Sequence, residues 1–160
     1  MRSPPLTTSF ALLLLAIAPC AAAQEPALVT SVNPPSLPDS TRFGYSQATV
    51  TAPGARIVHV AGQVGYDEAA ADNGFEAQVD RAFDNLGVAL DEAGATPADV
   101  AKITLLIVDH DAGKLDYLGR KRRAAFGETP PASTLVPVTR LYAPGVLFEI
   151  DAVAATAPER

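Results

Sequence analysis

The sequence predicts one α/β domain, a single mixed β-sheet with two helices packed on one of its faces. Three observations carry that prediction. With 160 residues, 48% of them hydrophobic, the chain is long enough for one core and too short for two. Residues 74–93 repeat apolar side chains at helical spacing, whereas five other segments have the length and β-branched or alternating character of strands. Their order, β-β-α-β-α-β-β, fits a sheet layer with a helix layer on one side.

Residues 1–23 stand apart from that domain. Arg2 supplies a positive start, Phe10 to Ala18 form an apolar stretch, and Ala21-Ala22-Ala23 offers a small-residue cleavage site before Gln24. The pattern is that of a cleavable signal peptide, with the mature chain periplasmic or secreted. The stretch is short for a membrane-spanning helix. An uncleaved anchor and a lipoprotein acylated on Cys20 are the alternatives, although Pro19 occupies a position where lipoproteins carry a small residue. Cleavage after Ala23 would remove Cys20, the one cysteine of the chain, and with it disulfides, thiol catalysis and cysteine metal sites. The net charge of −6 disfavours nucleic acid as a partner, and no membrane contact is expected after cleavage.

Residues 24–41 carry Pro26, Pro34, Pro35 and Pro38, an extended segment ahead of a domain at 42–160. Tyr45 to Ala52 and Arg56 to Gln63 read as two strands, and Pro53-Gly54 between them suggests a hairpin. Within Gly74 to Ala93, Phe75, Val79, Phe83, Leu86 and Leu90 fall on one helical stripe. Gly94 is a helix stop. Lys102 to Val108 is apolar at consecutive positions, as in a central strand buried on both faces. Asp111 to Phe126 is a second, more polar helix. Strands at Thr134 to Thr139 and Val146 to Ala154 close the domain, joined around Ala143-Pro144-Gly145.

In the last strand, period-two alternation sets Leu147, Glu149, Asp151 and Val153 on one face. Side chains two apart lie about 7 Å from each other, so Glu149 and Asp151 form a carboxylate pair of the kind used in acid–base chemistry, or a solvated strand face. Arg120-Lys121-Arg122-Arg123 is a basic run, but at 100° per residue it cannot form one binding stripe; it is read as a solvated helix surface. His59 sits among Val and Ile as a core or interface residue, and His110 lies in a loop. No metal-ligand cluster and no serine-nucleophile elbow is present.

Several short motifs resemble one family. Pro130 to Val138 (PPASTLVPV) followed by Leu147 to Ala154 (LFEIDAVA) resembles the closing signature of the Rid family, also called RidA, YjgF or L-PSP. Gly44-Tyr45-Ser46-Gln47-Ala48 is similar to its Gly-Pro-Tyr-Ser-Gln-Ala opening, and Val60-Ala61-Gly62-Gln63 to its Val-Ser-Gly-Gln strand end. Gln78, Asn85-Leu86 and Ala93-Gly94 match its long helix. The resemblance runs from about Arg42 to Ala154. It implies a chorismate-mutase-like α/β fold, a homotrimer with ligand clefts between subunits, and enamine/imine deamination as the best-known activity, with no cofactor and no metal. Carried over, the pocket would hold Tyr45, the Gly62 backbone, Ser133 and Thr134, with Asp151 positioning the hydrolytic water as the catalytic residue.

Departures from the family pattern bear on that activity. Deaminating members have Pro-Ala-Arg-Ser or Pro-Ala-Arg-Thr, whose arginine grips the substrate carboxylate; Ser133 stands there in this chain. One hydroxyl cannot replace a planar fork of five donors, and losing a buried charge-assisted contact costs about 2–5 kcal/mol. Asp151 is one methylene shorter than the usual glutamate, and no asparagine occurs at Asp116 to Gly119. Arg140 is a candidate substitute cation by proximity in sequence, or a surface residue. The expectation is an exported protein binding a small polar metabolite between subunits, a hydrolytic enamine/imine deaminase of altered specificity. The alternative is a non-catalytic ligand-binding or regulatory member, and an endoribonuclease the third reading.

Overall fold

The computed structural model describes residues 27–158; the expected leader, with Cys20, lies outside them. Eight strands and helices follow in order: β1 (Val29–Val32), β2 (Ala48–Thr51), β3 (Arg56–Val64), α1 (Phe75–Glu92), β4 (Val100–Val108), α2 (Ala112–Phe126), β5 (Ala132–Val138) and β6 (Phe148–Thr156). Single 3-10 turns occur at Thr41–Phe43 and Pro97–Asp99. The main sheet has the order β3-β6-β4-β5. Its β4–β5 pair is parallel, and its β3–β6 and β4–β6 pairs are antiparallel. The mixed sheet with its helices on one face is therefore present as the sequence predicts.

Helix α1 buries the expected stripe. Val79, Phe83, Leu86 and Leu90 are buried, and Phe75 packs edge-on to Phe148 with centroids 6.0 Å apart. Phe83 stacks on Phe148 at 6.2 Å and leans on Phe126 of α2 at 6.1 Å. Four aromatic rings thus tie both helices to β6, contributing area and ring geometry together. Asp111 caps α2, its carboxylate accepting the Lys114 backbone N–H at 2.8 Å, which satisfies one of the donors that a helix start leaves free.

Two strand expectations are corrected. First, β2 and β3 do not form a hairpin. The Pro53-Gly54 turn exists, with the Ala55 N–H donating to the Ala52 carbonyl at 3.3 Å, but it carries the chain from one sheet to another. Strand β2 pairs with β1, Val29 opposite Thr51, and β3 pairs with β6. A turn between two strands fixes a change of direction, not a partner, and β1 lies in the leading segment where prolines masked it. Second, β4 is not buried on both faces. Ile103, Leu105 and Ile107 are fully buried beneath the helices, whereas Lys102, Thr104 and Leu106 are half-buried on the uncovered face. His59 is likewise exposed rather than in the core.

Gln78 is the polar tie of the core. It is fully buried; its amide nitrogen donates to the carbonyls of Asn73 and Gly145, each at 2.8 Å, and its oxygen accepts the Leu147 N–H at 2.9 Å. One side chain near the start of α1 therefore holds the loop that feeds β6. Replacing it by an apolar residue leaves buried backbone groups without partners. Gln78→Met should lower the unfolding free energy by about 1–3 kcal/mol, measured by urea denaturation; an unchanged midpoint would mean that the loop finds other partners.

Candidate functional site

The pleat of the sheet sorts the candidate residues. Across β5, β4 and β6, Ser133 is opposite Ile103 and Ile103 opposite Ala152, while Thr134 is opposite Thr104 and Thr104 opposite Asp151. Paired residues project to the same face and neighbours in sequence to opposite faces. The Ser133 row therefore lies on the helix side, and the Thr134–Asp151 row on the uncovered side.

On the helix side, Tyr45 and Ser133 meet at a cavity of about 370 Å³, large enough for a small metabolite. The opening segment is drawn there by the strand that carries Ser133. The Ser46 N–H donates to the Pro131 carbonyl at 2.9 Å and its hydroxyl to the Pro130 carbonyl at 2.7 Å, and Ser46 bridges to Ala132 in parallel. Gly44, with φ of 75°, sits against α2, and a Cβ there would come within 2.9 Å of the Arg122 Cβ and 3.0 Å of the Gly119 carbonyl. Glycine lets the backbone turn and approach the helix at once. Tyr45 is thereby delivered beside Arg122.

Arg122 is the residue that sequence reasoning missed. It is 3% exposed, lines the cavity with Tyr45 and Ser133, and its Nη1 donates to the Ser133 hydroxyl at 3.3 Å. Its guanidinium carbon lies 5.5 Å from the Tyr45 ring centroid, within cation–π range. Its Nε has no hydrogen-bond partner, and no carboxylate among the described residues pairs with it. Burial holds its pKa below the ordinary arginine value; the partial charge of Tyr45 opposes that shift and nearby Arg123 adds to it. The expectation that the basic run is a solvated surface is therefore corrected for this position. Leu115, Leu118, Arg122 and Phe126 follow steps of three, four and four, and the buried stripe of α2 runs through the arginine. Leu115, Leu135 and Phe43 supply apolar wall, and His110 stands at the rim. Arg140 does not line this cavity; it borders another, formed by residues 140–144.

On the uncovered face, the Asp151 carboxylate accepts the Thr104 N–H at 3.2 Å, and the Lys102 ammonium donates to the Thr134 hydroxyl. The Lys102 pKa is lowered by burial, against which the Asp151 charge pulls upward. Gly62 lies at a bulge in β3, between the Val60 and Gln63 pairs with β6, and a Cβ there would overlap the Glu149 carboxylate. Gly62, Thr134 and Asp151 thus share a face, and within one chain they are separated from Tyr45 and Ser133. No group of three His, Asp or Glu side chains forms a metal site among the described residues.

Residues 38–156 match the family model described as Endoribonuclease L-PSP. The chain belongs to the Rid/YjgF/L-PSP family. A RutC family protein of Pyrococcus abyssi is 33% identical over 114 residues, covering 69% of this chain and 84% of the relative. The Rid-family protein YyfB of Yersinia pestis superposes with a TM-score of 0.75 at 31% identity, covering 80% of this chain and 98% of that one. Rv2704 of Mycobacterium tuberculosis, from the YjgF/YER057c/UK114 family, gives 0.55 at 33% identity over 80% and 99%. Several of the family-like motif residues serve the fold: Gln78 ties the β6 loop, and Asn85 donates to the Val64 carbonyl at 2.9 Å.

Family membership and the Arg122 geometry together give Ser133→Arg an unfavourable outcome in this chain. The new guanidinium would face Arg122 in a cavity to which the same chain contributes no acid. Like charges so placed should cost about 2 kcal/mol or more, read as a lower Tm, and Arg122→Gln in the same chain should recover the loss. Additive effects of the two substitutions would show that the side chains do not meet.

Proposed function

We propose that this Rid-family protein binds a small polar metabolite in clefts between copies of the chain and hydrolyses an enamine or imine there. The observation that carries the reading is the division of the motif residues into two half-sites on opposite faces of one sheet. Tyr45 and Ser133 face the helix side; Gly62, Thr134 and Asp151 face the uncovered side. A head-to-tail contact that sets one copy's uncovered face against the next copy's Tyr45 pocket reunites them, and three such contacts close a ring. The half-buried Lys102, Thr104 and Leu106 on that face suit a covered position better than open water. A homotrimer is the assembly typical of the family.

In this reading, Tyr45 and the Ser133 hydroxyl orient the ligand, the Gly62 backbone lets it approach closely, and the Thr134 hydroxyl lines the opposite wall. Asp151 holds the attacking water and takes its proton as the carbon–nitrogen bond is hydrated; ammonia leaves and a carbonyl remains. Carboxylate-assisted water attack of this kind contributes about 10²- to 10⁴-fold to rate. RNA cleavage gains no support from the basic run. Lys121 pairs with Asp80 at 2.8 Å, Arg123 donates to the Arg42 carbonyl at 2.5 Å, Arg120 lies over Tyr117 and Arg122 turns inward. Four cations aimed four ways make no track for phosphates.

The protein should accelerate loss of imines made in situ by an amino-acid oxidase, and Asp151→Asn should slow that reaction about 100-fold or more while sedimentation still gives the mass of three chains. A rate equal to that of buffer would leave a non-catalytic binding protein, and a monomer would remove the cleft. Export is part of the same proposal. Mature protein recovered from outside the cytoplasm should begin at Gln24 by intact mass, and recovery of the full-length chain there would refute cleavage.

A further inference from the structure

The geometry points to Arg122 as the anion-binding residue of the Tyr45–Ser133 cavity and to an amphipathic monocarboxylate as its ligand. The inference rests on the small-ligand part of the proposed function and is independent of the hydrolytic part.

Arg122, a residue only 3% exposed, has lost most of the hydration its charge would have in water. Such a group is ordinarily repaid by a carboxylate and by hydrogen bonds to its nitrogens. Among the described residues Arg122 has neither in full: Nη1 has the neutral Ser133 hydroxyl at 3.3 Å, and Nε has no partner. A buried polar atom left in this state calls for a physical explanation. The side chain also lines a cavity rather than packed core, so an incoming anion can reach it.

The kind of anion follows from the walls. Arginine presents parallel donors that match a planar carboxylate. Arg122 is the one arginine or lysine among the residues that line the cavity, and its single charge balances one negative charge. Phe43, Leu115 and Leu135 then surround what lies beyond the head group, which favours an apolar tail of a few carbons. Ser133 acquires a role in the same picture. A serine accepts from the guanidinium and keeps space open, whereas a larger residue would fill the path between the arginine and the ligand. The charge absent from position 133 is thus supplied from α2, by a side chain in direct contact with Ser133.

The experiment is calorimetric titration of the full chain with 4-methylpentanoate, its neutral isostere 4-methylpentanamide, and acetate. The branched carboxylate is expected to bind about 30-fold or more tightly than the amide, the difference that a buried charge-assisted contact makes, and more tightly than acetate. In Arg122→Met the carboxylate should lose that advantage while the amide is unaffected. The same substitution removes a buried charge without a carboxylate partner, so it should raise the Tm of the ligand-free protein, which a purely structural arginine would not do. Arg122→Met/Ser133→Arg should restore preference for the acid. Equal binding of acid and amide by the unaltered chain would overturn the assignment. So would a fall in Tm with loss of the assembly in Arg122→Met, because Arg122 would then be paired with a carboxylate of a second copy. Carboxylate binding without imine hydrolysis would uphold the assignment and refute the deaminase reading alone.

Discussion

The two-residue pleat of a sheet covered on one side is the constraint on which the rest of this structure depends. Helices α1 and α2 bury Ile103, Leu105 and Ile107 from β4 and Phe148, Ile150, Ala152 and Ala154 from β6. A shift of either strand by one residue would expose that row and bury Lys102 or Asp151 in its stead, so the register is held by a large hydrophobic penalty. The functional chemistry has no freedom of its own. Ser133 must face α2 because Ile103 does, and Asp151 must face away because Ile150 and Ala152 face in. The placement of Ser133 and Asp151 on opposite faces is a direct product of core packing.

Much of this was legible in the sequence, for identifiable reasons. The α1 stripe from Phe75 to Leu90 has strict helical spacing, and both helix ends fall within a residue of where composition and the glycine at 94 set them. The alternation of β6 correctly separated Glu149 and Asp151 from Phe148 and Ile150. Strand pairing was not legible, because Pro53-Gly54 reports a turn and nothing about which strand lies across it. Strand β1, four residues long and close to three prolines, has too little pattern to register against that background.

Arg122 illustrates a different limit. Four basic residues in a row present as one feature, and the natural question is what the run binds. A helix separates consecutive residues by 100°, so the proper unit is each position in the stripe pattern of its own helix. By that criterion Arg122 belongs with Leu118 and Phe126, and its neighbours do not. The reason a charge is tolerated there lies elsewhere in the chain. Gly44 gives up its side chain so that Tyr45 can lie against the guanidinium, and Ser133 leaves room for it. Neither of those relations is visible until the fold brings positions 44, 122 and 133 together.

The bridge from Ser46 to Ala132 has a consequence for how copies of this chain can meet. Strand β5 is an outer strand of the main sheet, and bare outer strands invite further chains to add by backbone hydrogen bonding. Here the start of β5 is already occupied by Ser46, and further along Pro137 has no N–H to offer. At the other rim, β3 is broken by the bulge at Ala61 and Gly62. Both rims thus resist open-ended growth of the sheet. In the proposed ring, copies would instead meet through the face of the sheet, where contact is limited by shape and comes to an end once the ring has closed.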